Sequence, residues 1–208
     1  MIEKLACKLG RNDELPNIEL AELLCERSDI SGILEIAEGI RSKDQAVAND
    51  CIKVLYEIGT RRPELIADFA LNFIDLLLSK NNRMAWGCMT ALAEIADICA
   101  DAIIKRIETV YQAYSVGSVI TVDNSMTVFA KLCLADDAYE ARIFPVLTAH
   151  FRKCRAKEIP QHFERVSICL NDYNSKEIID VIKRRTNELS EAQLKRVNKT
   201  IRVMKETN

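Results

Sequence analysis

Three stretches of this chain lie under one another at a spacing of 37 residues. They are Cys51-Ile52-Lys53-Val54-Leu55-Tyr56-Glu57-Ile58-Gly59, Cys88-Met89-Thr90-Ala91-Leu92-Ala93-Glu94-Ile95-Ala96 and Ser125-Met126-Thr127-Val128-Phe129-Ala130-Lys131-Leu132-Cys133. The alignment has three apolar columns: Ile52/Met89/Met126, Leu55/Leu92/Phe129 and Ile58/Ile95/Leu132. Two columns are polar: Lys53/Thr90/Thr127 and Glu57/Glu94/Lys131. A fixed period of this length is the signature of a stacked array, in which one unit cannot bury its apolar face alone and its neighbours supply the cover. Apolar residues three or four apart make each copy an amphipathic helix. With six Gly and four Pro in 208 residues, turn-formers are too few for an all-β sandwich.

The rest of the chain is organised around these copies. Residues 1–43 fit the period poorly and predict two or three short helices, an atypical end unit whose outer face meets water. Residues 44–81 form the first clear unit, with Asp44 as N-cap, a stop at Gly59 and Pro63 opening a second helix that runs to about Ser79. That helix turns Leu65, Ile66, Phe69, Phe73, Ile74, Leu77 and Leu78 inward. Residues 82–117 repeat the plan, with a second helix over 101–114 and Gly117 ending it. In 118–154 the β-branched run Val119-Ile120-Thr121-Val122 favours a strand taken alone, but the 37-residue register makes it the opening of a helix. Residues 155–208 hold a weaker copy and a last helix that begins with a capping box, Ser190 with Gln193. Its stripe of Leu194, Val197, Ile201 and Met204 suits a terminal cap.

Antiparallel helix pairs of this period resemble the HEAT and armadillo class of α-solenoid. The most specific match is Asn81-Asn82-Arg83 followed by Thr90 to Ala96, which looks like the stretch joining one HEAT helix pair to the next. The charged ladder of HEAT units is not reproduced, since Arg83 corresponds to Ala46 and Ile120. The resemblance implies an all-α, right-handed α-solenoid of about five helix pairs forming a single domain over 1–208. Most members of the class are protein-binding scaffolds, and a minority, the HEAT-like alkylpurine DNA glycosylases, are enzymes.

The chemistry-bearing residues add little to that frame. His150 and Cys154 lie four apart on one helix face, and His162 and Cys169 follow, a set that could supply zinc ligands. Cys169 falls in an apolar column, however, and the step from 154 to 162 crosses a unit boundary, so the expectation is structural residues, no metal and no cofactor. The carboxylates Asp97, Asp101, Asp136 and Asp137 sit in interhelical turns, where Asp caps helices. No Gly-rich phosphate loop, G-x-S-x-G or H-E-x-x-H pattern is present. The eight Cys contain no C-x-x-C pair and lie in apolar helical patterns, which predicts buried free thiols in a reducing compartment. No secretory signal is visible, and a cytoplasmic location is expected by default.

Binding is the remaining class. Trp86 corresponds to polar Asn49 and Asp123 one period away, so it is expected either to face outward as a contact or to pack across neighbouring helices. Charge is uneven: residues 1–104 carry 11 Lys+Arg against 18 Asp+Glu, and 105–208 carry 18 against 13. Residues one period apart on the second helices make a row, Asp68, Lys105 and Arg142, that continues toward Arg152, Lys153, Lys183 and Arg184 and grades from acid to base. The expected function is a non-catalytic scaffold that binds a protein or peptide, acidic in character, through Lys105, Arg142, Arg152, Lys183, Arg184 and Trp86. The alternative is a HEAT-like DNA-repair glycosylase or other nucleic-acid binder using the basic C-terminal half. The net charge of −2 argues against general nucleic-acid binding, and no membrane partner is expected.

Overall fold

A computed structural model describes residues 1–207. Twelve α-helices, joined by short 3₁₀ turns, make up the described residues, and no strand occurs among them. The chain divides into two compact units, residues 1–125 and 126–208, with the boundary inside one helix.

The first unit contains α1 (Leu15–Arg27), α2 (Ile30–Gly39), α3 (Gln45–Arg61), α4 (Ala70–Leu76), α5 (Asn82–Ile95), α6 (Ala100–Ile104) and α7 (Ile107–Val116). Helix α3 packs on α1, α2 and α5, so it is the central element of this unit. Asp44 caps α3 by accepting from the amides of Ala46 and Val47, and Asn81 caps α5 in the same way. These caps lie one period apart. The Asn81 amide also donates to the Asn49 carbonyl oxygen at 2.7 Å, and Thr60 donates to Glu94 at 3.3 Å. One bond ties the N-terminal ends of α3 and α5 together and the other their C-terminal ends, so these helices stack in parallel, as repeats of one unit must.

The second unit contains α9 (Asp137–Lys153), α10 (Ile159–Val166), α11 (Ser175–Arg184) and α12 (Glu191–Thr207), and α8 (Val119–Ala135) carries the boundary. Asn174 donates to Glu140 at 2.7 Å and Arg185 to the Phe151 carbonyl at 2.8 Å. These contacts join like ends of α9 and α11, which are therefore parallel too. Helix α12 packs on α10, and the capping box closes it: the Ser190 amide donates to Gln193 and the Gln193 amide to the Ser190 hydroxyl.

All nine residues of the apolar columns are buried, each at most 1% exposed. The register also decides the β-branched run correctly, since Val119 opens α8. Three local expectations need correction. Gly59 does not stop α3, which continues to Arg61; Gly59 lies against α5, where a Cβ would meet Ile66 at 2.8 Å and Glu94 at 3.1 Å. The second helix of the first repeat is not continuous: two 3₁₀ turns (63–65 and 67–69) precede α4. The next copy breaks at the corresponding place, and the break residues Phe69 and Arg106 lie one period apart, at φ −93° and −119°. Leu78, expected to face inward, is 42% exposed. Among the described residues, no helix is long and apolar enough to cross a membrane.

Candidate functional site

The expected site residues are mostly cations, and they divide between the two units. Lys105 is exposed where α6 ends, in the first unit. Trp86 is half-buried on α5, and its ring centre lies 5.9 Å from that of Tyr56 on α3, so it takes part in the α3–α5 packing.

The other four cations belong to the second unit, which carries 16 Lys+Arg against 11 Asp+Glu. Arg152 and Lys153 occupy the last turn of α9, and Lys183 and Arg184 the last turn of α11. All four are exposed. Because the C-terminal ends of α9 and α11 lie side by side, these residues gather at one end of the unit. Cations are favoured there, where unsatisfied carbonyls give each helix its partial negative charge. The Arg152 guanidinium pairs with Glu177, in the first turn of α11, at 3.7 Å. Arg142 is exposed near the start of α9, roughly 15 Å along the axis from Arg152 at 1.5 Å per residue. The last turns that carry Arg152, Lys153, Lys183 and Arg184 are thus neighbours, and Arg142 lies toward the other end of α9.

The first unit holds an arrangement that the sequence reading missed. Lys53, from a polar column, is 6% exposed and pairs with Glu57 at 2.7 Å and Glu14 at 3.0 Å. Arg83 joins Glu14 at 2.6 Å, and Arg61 links Glu57 to Glu22. A charged ladder therefore does run across α1, α3 and α5; Glu57 belongs to the 37-residue alignment, and the other two acids, Glu14 and Glu22, come from the atypical end unit outside it. Burial would lift the Glu57 carboxyl, yet the hydrogen bonds from Lys53 and Arg61 outweigh it and hold the group below its ordinary value.

Three chemistry-bearing residues converge in the second unit. His150 lies in the last turn of α9, Cys154 caps that helix, and His162 stands in the first two turns of α10. A 3₁₀ turn at 156–158 folds the chain back between them. His150 Nε2 lies 2.8 Å from His162 Nδ1, and the three candidate ligand atoms fall within 4.8 Å of one another. All three residues are buried, at 6%, 9% and 0% exposure in chain order. Burial pushes the Cys154 thiol up, and the Arg185 guanidinium, 3.8 Å away, works the other way. Cys169 is not part of this group. Its thiol donates to the Val166 carbonyl at 3.2 Å and lies within hydrogen-bonding reach of Cys133. The carboxylates set aside in the turns include Asp136, which caps α9 by accepting from the Ala138 amide at 2.7 Å.

No family model matches the chain, and no curated protein matches it. Solved structures do. An engineered protein of known crystal structure superposes with a TM-score of 0.68 at 18% identity, covering 99% of this chain and 96% of the other. A designed armadillo repeat protein in complex with the peptide (KR)4 superposes with a TM-score of 0.66 at 9% identity, covering 92% and 91%. Together with the buried 37-residue columns and the parallel stacking of like helices, these likenesses settle the architecture: the chain has the all-α, armadillo-like helical-repeat fold.

Proposed function

We propose that the protein is a non-catalytic scaffold, and that it binds an acidic peptide or an acidic segment of another protein at the basic end of its second unit. The observation that carries this reading is the juxtaposition of two parallel helix ends, whose last turns hold the exposed residues Arg152, Lys153, Lys183 and Arg184. Clustered exposed cations steer an acidic ligand and raise its association rate, and a guanidinium holds a carboxylate in fixed orientation better than an ammonium does. The designed armadillo neighbour is a peptide complex, which supports peptide recognition as a use of this fold. Its peptide is basic, whereas the surface proposed here is basic and calls for a ligand of opposite sign. Arg142 extends the surface along α9; Lys105 and Trp86, in the first unit, are secondary candidates for contact.

The test compares a fluorescent acidic octapeptide of alternating Asp and Glu with (KR)4 and a short DNA duplex. The acidic peptide is expected to bind, more weakly as salt rises because exposed charges are screened beyond about 8 Å at physiological ionic strength. The triple variant Arg152→Glu, Lys183→Glu, Arg184→Glu should lose at least about tenfold in affinity with an unchanged circular dichroism spectrum. Equal binding by the variant would remove this surface. Tighter binding of the duplex than of the acidic peptide, lost in the same variant, would replace the scaffold reading with nucleic-acid binding.

A further inference from the structure

We propose that His150, Cys154 and His162 form a binding site for one d10 metal ion, zinc(II) or copper(I), inside the second unit. Two imidazoles and a thiol are the donors these ions share, since thiolate selects copper(I) and zinc and imidazole suits both. The three donors come from one short stretch, His-x3-Cys-x7-His, closed by the turn between α9 and α10. Local closure means that the helical hairpin itself positions the ligands.

The geometry is close to what an ion needs. Zn–N bonds of about 2.0–2.1 Å and a Zn–S bond of about 2.3 Å place donors roughly 3.3–3.7 Å apart around a tetrahedral ion. The imidazole nitrogens stand at 2.8 Å and the whole donor set within 4.8 Å. His150 Nε2 and His162 Nδ1 face each other across one hydrogen bond, so one shared proton occupies the line on which both lone pairs converge. Replacing that proton by the ion requires the two rings to part by about half an ångström and the sulfur to close by about one, on the bond lengths above. Both are side-chain adjustments.

The surroundings fit as well. Arg185 Nη1 is 3.8 Å from the Cys154 sulfur and would be a like charge beside a bound cation. Glu188 offsets it through two bonds, at 2.9 and 2.6 Å. Glu158, in the turn that precedes α10, pairs with Arg155 at 2.8 Å. The rings of Phe151 and Phe163, 6.2 Å apart, belong to the neighbouring residues of His150 and His162 and make an apolar flank. Three protein donors complete a trigonal copper(I) site, whereas zinc(II) would take a fourth ligand such as water.

The test uses the full chain after treatment with a chelator. Zinc(II) and, anaerobically, copper(I) are titrated in against chromophoric competitors, and cobalt(II) serves as a spectroscopic stand-in for zinc. One equivalent of at least one ion should bind with submicromolar Kd, and cobalt(II), if zinc is the ion, should show a sulfur-to-metal charge-transfer band. Cys154→Ser should abolish that band and weaken binding by more than about 100-fold, beyond the usual cost of losing an outer-sphere partner. His162→Gln, which keeps a hydrogen-bonding partner for His150, should do the same, and Cys133→Ser should leave binding intact. Circular dichroism confirms that each variant is folded. Failure of both ions to bind wild-type protein below about 10 μM, or binding that survives in Cys154→Ser and His162→Gln, would overturn the site and leave a hydrogen-bonded histidine pair.

Discussion

Lys53 shows how a single residue can belong to a repeat and depart from it. It occupies the same column as Thr90 and Thr127, which sit half-buried and accept hydrogen bonds from Asn124 and Arg165. Lys53 instead carries a buried charge, made tolerable by Glu57 and Glu14. Burial alone would lower its pKa, and the two carboxylates more than reverse that. Lys53→Met should cost about 1–2 kcal/mol near neutral pH, less than for a fully buried pair because Glu14 is 45% exposed and re-solvates. The sign of the pH dependence follows from both partners. Glu57, held below its ordinary value, contributes stability above its unfolded pKa near 4.5 and loses it as pH falls. Lys53, held above 10.5, contributes fully below that value. The difference between wild type and variant should therefore be largest between about pH 5 and 10 and shrink in acid. Urea melts at pH 7 and pH 3 measure it, and an equal difference at both would show that the stability lost in the variant does not come from the ion pairs.

At the scale of elements, the packing of α5 on α3 decides how close two repeats approach. Gly87 of α5 faces Ile52 of α3, and a Cβ there would stand 2.8 Å from the isoleucine Cγ1. In an exposed helix, Gly→Ala gains about 1 kcal/mol of helix propensity. Here overpacking opposes that gain, at about 1–3 kcal/mol, so Gly87→Ala should destabilise. Leu92→Ala, which empties a site with 0% exposure in the same helix, should cost about 2–5 kcal/mol, while Glu94→Ala in the neighbouring polar column should stay within about 0.5 kcal/mol. A Gly87→Ala protein more stable than wild type in urea would mean that α5 can move off α3 freely.

Across the whole molecule, the distribution of thiols reports the packing of every unit at once. All eight cysteines are free; Cys7 and Cys99 are half-buried and the other six buried. Burial raises Cys51 to about 12 and lifts Cys88 well above the ordinary thiol range. Cys51, Cys88 and Cys169 should therefore resist alkylation at pH 8 until denaturant is added, with Cys7 and Cys99 reacting first. Cys7 should lag behind an ordinary exposed thiol, because partial burial and Asp50 raise it to about 11. Peptide mapping after a timed pulse of iodoacetamide reads this order. Rapid labelling of Cys51, Cys88 and Cys169 in the native protein would contradict the buried columns.

The period, the apolar columns, the main caps and the free thiols were legible in the sequence, because each depends on chemistry repeated at fixed spacing or confined to one helix. Ile52, Leu55 and Ile58 mark a buried face wherever the neighbouring unit lies, and Asp44 caps α3 through amides two and three residues away. The break at Phe69 was not legible, since that stretch also reads as a continuous apolar helix. Gly59 was misread because a glycine that ends a helix and one that admits a neighbour look alike without the neighbour. Of the two partners of Lys53, Glu57 lies four residues on in the same helix, but Glu14 comes from an end unit that does not share the repeat, so the alignment could not supply it. His150, Cys154 and His162 were visible as candidate ligands, but spacing alone could not decide between convergence and dispersal across a unit boundary. That boundary is the turn between α9 and α10, and it folds the residues together. Periodic burial is a property of one helix at a time, which a sequence can encode openly; close approach between helices depends on where the turns send the chain, which only the tertiary structure decided.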